Sequence, residues 1–106
     1  MRVFEYTLMT GGNMSGNLTS SSQNLIQMQI ASIQAVWTGS PIGALSLNIS
    51  NDNVNWTAYT GSTTVVNGAG NFIWNLLSNG YNYVQVVYAA SSGSGSLNIT
   101  VSGKGN

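Results

Sequence analysis

At 106 residues the chain has room for one hydrophobic core and not for two. It holds two basic residues, two acidic residues, no histidine and no cysteine, which excludes disulfides, thiolate or imidazole metal sites and nucleophilic triads that need a histidine base. Charged residues make up 4% of the chain, against about 25% in an ordinary soluble domain, so a basic groove for nucleic acid is excluded too.

Arg2 and Glu5 lie near one end and Lys104 at the other, leaving Asp52 as the lone charge between them. Polarity is carried by Asn, Ser, Thr and Gln, whose burial in a contact desolvates no ion. Such a surface suits a packed assembly, and a homo-oligomer is expected. No apolar run approaches the roughly 18 residues of a membrane-spanning helix. Glu5 stands where the apolar part of a secretion signal would begin, so the expectation is a small complete product used where it is made.

Residues 3–9 are rich in Val, Phe, Tyr and Thr and predict a first strand with Phe4, Tyr6 and Leu8 on one face. Residues 10–17, with three glycines, predict a loop, and residues 18–22 a brief edge strand. In 24–37 the apolar positions are first even (Ile26, Met28, Ile30) and then odd (Ile33, Ala35, Trp37). A parity switch near Ala31 and Ser32 predicts a strand with a β-bulge or with a bend from one sheet to the other. A helix fits less well, because Gln27 and Gln29 interrupt the apolar stripe.

Gly39-Ser-Pro-Ile-Gly43 predicts a turn, since Pro41 fixes its own φ and biases Ser40 toward extended geometry. Leu45, Leu47 and Ile49 then alternate with Ser46, Asn48 and Ser50, the pattern of a strand with one buried face. Ser50-Asn-Asp-Asn-Val-Asn55 is a polar loop, closed by Trp56 and Tyr59. Residues 60–66 supply a β-branched run. Asn67-Gly-Ala-Gly-Asn71 predicts a hairpin turn, with 72–77 as the returning strand. Ser78-Asn-Gly80 is a further turn. Residues 81–89 are apolar on both faces, as in a central strand or one covered by another subunit. Ser91-Ser-Gly-Ser-Gly-Ser96 predicts a mobile hairpin tip, and Leu97, Ile99 and Val101 alternate in the last strand. The expected architecture is all-β: an antiparallel β-sandwich, jelly-roll-like, of about eight strands in a single domain spanning 1–106.

Little in this pattern carries chemistry. Glu5 and Asp52 are the only carboxylates, and nothing brings them to one bond, so no enzymatic activity and no cofactor are expected. Asn51, Asp52, Asn53 and Asn55 form the most ligand-like cluster. Calcium takes such oxygens, but one carboxylate and the absence of a terminal acid fit poorly, and the cluster reads as a turn in which Asp52 caps backbone donors. Trp37, Trp56 and Trp74 with Tyr59, Tyr81, Tyr83 and Tyr88 could form a sugar-stacking platform among amides. Each sits in or beside a predicted strand, however, and the pattern favours core filling, with Trp56 closing the core below the 51–55 loop.

The order Ser32-Ile-Gln-Ala-Val-Trp37, Gly-Ser-Pro-Ile-Gly43, Leu-Ser-Leu-Asn-Ile-Ser-Asn-Asp52, Asn-Trp56, Tyr83-Val-Gln-Val-Val-Tyr88, Ser-Gly-Ser-Gly-Ser-Leu97 and Lys104 resembles small β-sandwich proteins and domains of tailed-phage virions. The resemblance covers residues 30–104. A fainter one, confined to the Ser-x-Asp-x-x-x-Trp loop and the Tyr-x-x-Val strand, is to discoidin-type jelly rolls that bind glycans or lipids; this chain departs from those in having no cysteine. The first resemblance implies a non-enzymatic virion subunit made in the host cytoplasm. It implies partners among its own copies, by analogy a homotrimer, and other virion proteins such as the major capsid protein, with no nucleic acid and no membrane. The alternative it leaves open is a glycan-binding module of a phage fibre or spike.

Overall fold

A computed structural model describes residues 2–76 and 81–105. The first sheet holds β1 (Arg2–Asn13), β4 (Ile30–Gly39), β8 (Gly70–Leu76) and β10 (Gly95–Gly105), in the order β1-β10-β4-β8. The second is built on two long neighbours, β5 (Ile42–Ser50) and β9 (Tyr83–Ser92). Short strands flank them: β2 (Leu18–Thr19) and β3 (Gln23–Asn24) along β9, and β6 (Thr57–Ala58) and β7 (Thr64–Asn67) along β5. Every pairing is antiparallel.

When β2 with β3, and β6 with β7, are each taken as one interrupted lane, eight lanes remain. The first pairs with the last, the second with the seventh, the third with the sixth and the fourth with the fifth, which is the nested pairing of a jelly roll. The expected eight-strand sandwich is therefore present, with two lanes broken. A buried serine makes each break. Ser20 donates its N–H to Val86 O, and its Oγ accepts the N–H of Val86 in turn. Ser62 Oγ accepts the N–H of Leu47 at 3.0 Å, while Ser62 N–H turns back to Tyr59 O. In both lanes a hydroxyl takes a ladder bond that a backbone carbonyl would otherwise accept, so the strand can bend away without orphaning its neighbour. Ser62→Ala leaves the buried Leu47 N–H unpaired and is expected to cost about 1–3 kcal/mol, read from chemical denaturation.

The core follows the alternation. Leu45 and Leu47 of β5, Val84, Val86 and Tyr88 of β9, Ile33, Ala35 and Trp37 of β4, and Leu97, Ile99 and Val101 of β10 all point between the sheets. β9 lies between β5 and the short strands, which makes it central in its sheet.

Several local expectations are corrected. β1 continues through Thr10 to Asn13, past two register shifts, where a loop was expected; Phe4 and Leu8 of its expected apolar face are buried, while Tyr6 between them is exposed. The 24–37 segment bends between sheets: β3 belongs to the second and β4 to the first, and the break falls over residues 25–29, before the parity switch. Ile26 and Ile30 are consequently exposed. Asn67-Gly-Ala-Gly-Asn71 is not a hairpin, since β7 pairs with β5 while β8 pairs with β4. Nor is 91–96 a hairpin tip, because β9 and β10 lie in different sheets. The Ser78-Asn-Gly80 turn and Leu77 lie outside the described residues.

These corners gather at one end of the sandwich. Ser40 N–H bonds Ser94 O, Gly68 N–H bonds Pro41 O, Met14 N–H bonds Gly95 O, and Trp37 Nε1–H bonds Gly68 O at 2.6 Å. Backbone packs against backbone there. The opposite end carries the polar loop between β5 and β6.

Candidate functional site

The loop after β5 is built on Ser50, whose side chain is buried. Its Oγ accepts the N–H groups of Asp52 and Asn53 and donates to Asp52 Oδ1 at 2.9 Å. Asp52 Oδ1 also accepts the N–H groups of Val54 and Asn55 at 2.9 and 2.8 Å, and Oδ2 accepts Asn55 Nδ2–H at 2.7 Å. Asn53 takes φ of 63°, a left-handed conformation that asparagine tolerates better than most residues. From across the sheet, Asn82 fastens the loop with N–H to Ser50 O and Nδ2–H to Asn51 O, both at 3.1 Å.

These donors hold the Asp52 carboxyl well below the usual carboxylate range. The Asn55 N–H is foremost, followed by the Val54 N–H, the Asn55 amide and the Ser50 hydroxyl. A depressed carboxyl contributes stability above its unfolded pKa of about 3.9 and loses that contribution as the pH falls toward its folded value. Asp52→Asn should therefore melt below the parent at neutral pH, with the gap closing as the pH is lowered through and below about 4. Thermal melts across that range check this, and calcium or chelator should shift neither protein. A calcium-dependent rise confined to the parent would identify the loop as a metal site. The donor set argues for a turn: Asp52 is the sole carboxylate of the loop, both its oxygens are engaged, and the Asn55 amide points at it rather than outward.

Beside the loop is an open cleft of about 500 Å³ lined by Ile49, Asn51, Asp52, Asn55, Thr57 and Tyr81. Tyr59 lies against Tyr81, ring centroids 5.9 Å apart and planes tilted by 58°. Tyr81 Oη is buried beside the Tyr59 phenol. Burial, reinforced by the neighbouring Tyr59 phenol, pushes its pKa up to about 12, so it stays protonated and can donate a hydrogen bond. The cleft thus combines amides, a hydroxyl, an aromatic ring and one fixed negative charge.

The sugar-stacking platform, which the sequence left open as the alternative to core filling, is not assembled by the tryptophans. Trp37 and Trp74 are buried, and their indole N–H groups are spent on Gly68 O and Ser62 O. Trp56 is half-buried and lies outside the core, so it does not close the core below the loop as the sequence pattern favoured. Among the candidate aromatics, Tyr81 lines the cleft and Tyr59 reaches its margin through Tyr81. Asn51, Asp52 and Asn55 line the cleft, whereas Asn53 does not. Sequence reasoning missed Ser50 as the pivot, although the Ser-x-Asp spacing signals it, and Asn82 as the clamp, for which no local signal exists.

No family model matches the chain, and no curated protein matches it. Solved structures do. A prophage-derived protein, YomS of SPBc2, superposes with a TM-score of 0.63 at 12% identity over 95% of this chain and 93% of its own. The exported protein XepA of PBSX gives 0.64 at 15% identity over 97% of this chain, which spans 37% of XepA. A chitosan-binding module from a chitosanase/glucanase of Paenibacillus sp. IK-5 gives 0.53 at 18% identity over 92% of this chain and 74% of that one. At such identities the likeness is one of fold.

Proposed function

We propose that this chain is a non-enzymatic structural subunit of a bacteriophage virion, decorating or completing a capsid or tail by packing against its own copies and against neighbours such as the major capsid protein. The observation that carries the reading is the end-to-end likeness to a prophage-derived protein, which covers nearly all of both chains. It is supported by a surface with four charged residues in total, because amides and hydroxyls can enter a contact without the desolvation that ions suffer. On this reading the protein is made in the host cytoplasm and carried in the particle. Mass spectrometry of purified particles with copy counting tests it: a fixed stoichiometry per virion is expected, and recovery of the chain only from the host lysate would overturn it.

A second reading, a carbohydrate-binding module of a phage fibre or spike, is favoured by one observation, the cleft that sets Tyr81 beside Asn51, Asn55 and Thr57. An aromatic ring flanked by amides suits an uncharged sugar. The fold likeness to a chitosan-binding module is compatible with this. Titration with chitosan oligosaccharides and a panel of neutral glycans tests it, with Tyr81→Ala expected to abolish any binding found.

A further inference from the structure

The outermost strands of a sheet expose unpaired N–H and C=O groups, and folds blunt such edges with charges, proline, bulges or brevity. The edges here are unequal. β1 carries Arg2, Glu5 and two register shifts. Along the second sheet, β2, β3 and β6 are two residues long and β7 four. β8 has none of these protections. Its seven residues hold unbroken register with β4 from Ala31 opposite Leu76 to Trp37 opposite Gly70. It contains no charge and no proline, it exposes Phe72 and Ile73 by 38% and 47%, and among the described residues it has a strand partner on one side only.

Its sequence is also close to a palindrome. Asn71-Phe-Ile-Trp-Asn75 reads amide, aromatic, isoleucine, aromatic, amide in either direction. In an antiparallel pair related by a two-fold axis each residue meets its mirror position, so a self-complementary strand is what an isologous contact requires. We propose that β8 pairs antiparallel with β8 of a second copy, with the two-fold axis at Ile73, joining two four-stranded sheets into one of eight strands. On the outer face Ile73 meets Ile73 of the second copy, flanked on each side by an Asn71–Asn75 pair. On the inner face Phe72 meets Trp74 of the second copy, extending the edge-to-face contact that Phe72 already makes with its own Trp74 at 5.1 Å. No charge opposes the approach. The pairing stands on the strand itself, independent of any place in a virion, and it closes as a two-fold contact where family analogy suggested a trimer.

Light scattering on the purified full chain should give twice 11.1 kDa at millimolar concentration. Ile73→Lys, which sets two ammonium groups face to face, should give a monomer with the parent's strand signature in circular dichroism. Val65→Lys, on the exposed β7, should remain a dimer. Because the chain has no cysteine, disulfide trapping reads the register even where the lysine variant does not fold. Directly opposed side chains lie about 5 Å apart at Cβ, so Ile73→Cys should cross-link to itself on mild oxidation. Asn71→Cys should not, because its own copy lies roughly 13 Å along the strand, yet it should cross-link when mixed with Asn75→Cys. A parent that is a monomer or a trimer, or cross-linking that ignores this register, would overturn the proposal.

Discussion

Trp37→Ala is expected to destabilise the fold by about 3–5 kcal/mol, whereas Trp56→Ala should cost roughly 1–2 kcal/mol, an ordering opposite to the weight that the sequence placed on Trp56. Trp37 is buried at the closed end, where a carbon added to Gly70 would sit tightly against its ring, 3.2 Å away. Its indole N–H holds Gly68 O at 2.6 Å. Truncation therefore opens a cavity among residues that cannot collapse, since Gly68 is fastened to Pro41 O, and it strands a carbonyl at the corner between the sheets. Trp56 is half-buried at the end of the polar loop and belongs to no part of the core. Urea unfolding of the two variants measures the difference, and equal losses would mean that Trp56 packs more deeply than its exposure implies.

The contrast shows what a linear reading can and cannot reach. Alternation in Leu45, Leu47 and Ile49 or in Leu97, Ile99 and Val101 is legible because a strand with one buried face must repeat every two residues. That a turn follows is legible as well, because Asn-Gly and Gly-Ser-Gly accept the backbone angles a reversal needs. Which sheet the chain enters after the turn is not. Asn67-Gly-Ala-Gly-Asn71 serves equally for a hairpin and for a corner, and the choice is made by β5 and β4, which claim β7 and β8 separately. The 24–37 segment was read closer to its true course because a parity switch exposes a change of sheet, whereas a turn hides one. The Asp52 turn was accessible because Ser50, Asp52 and Asn55 act on one another within a few residues. Asn82 and the ladder serines Ser20 and Ser62 act across the sheet on partners far along the chain, and nothing local marks them.

Gly93→Ala should lower stability by at least about 2 kcal/mol, equivalent to a melting temperature depressed by roughly 10 °C or more. Two independent penalties act there. Gly93 sits at φ of 76°, in the left-handed region where a Cβ is strained, and a carbon added to it would run into the carbonyl oxygen of Ser40. That carbonyl cannot retreat, because the Ser40 N–H is bonded to Ser94 O and Pro41 follows with its φ fixed. The β4–β5 and β9–β10 corners are thus locked together, and separating them would pull β10 from β4 in one sheet and β9 from β5 in the other. Gly61→Ala provides the matched control. Its φ of 84° imposes the same conformational strain, but the added carbon meets nothing within 4 Å, so the loss should be about 1 kcal/mol. Equal losses at the two positions would mean that backbone strain alone sets the cost and that the corners are free to part. A loss two or more times larger at Gly93 would establish that the residues read as a mobile Ser-Gly tip are a close-packed seam of the sandwich.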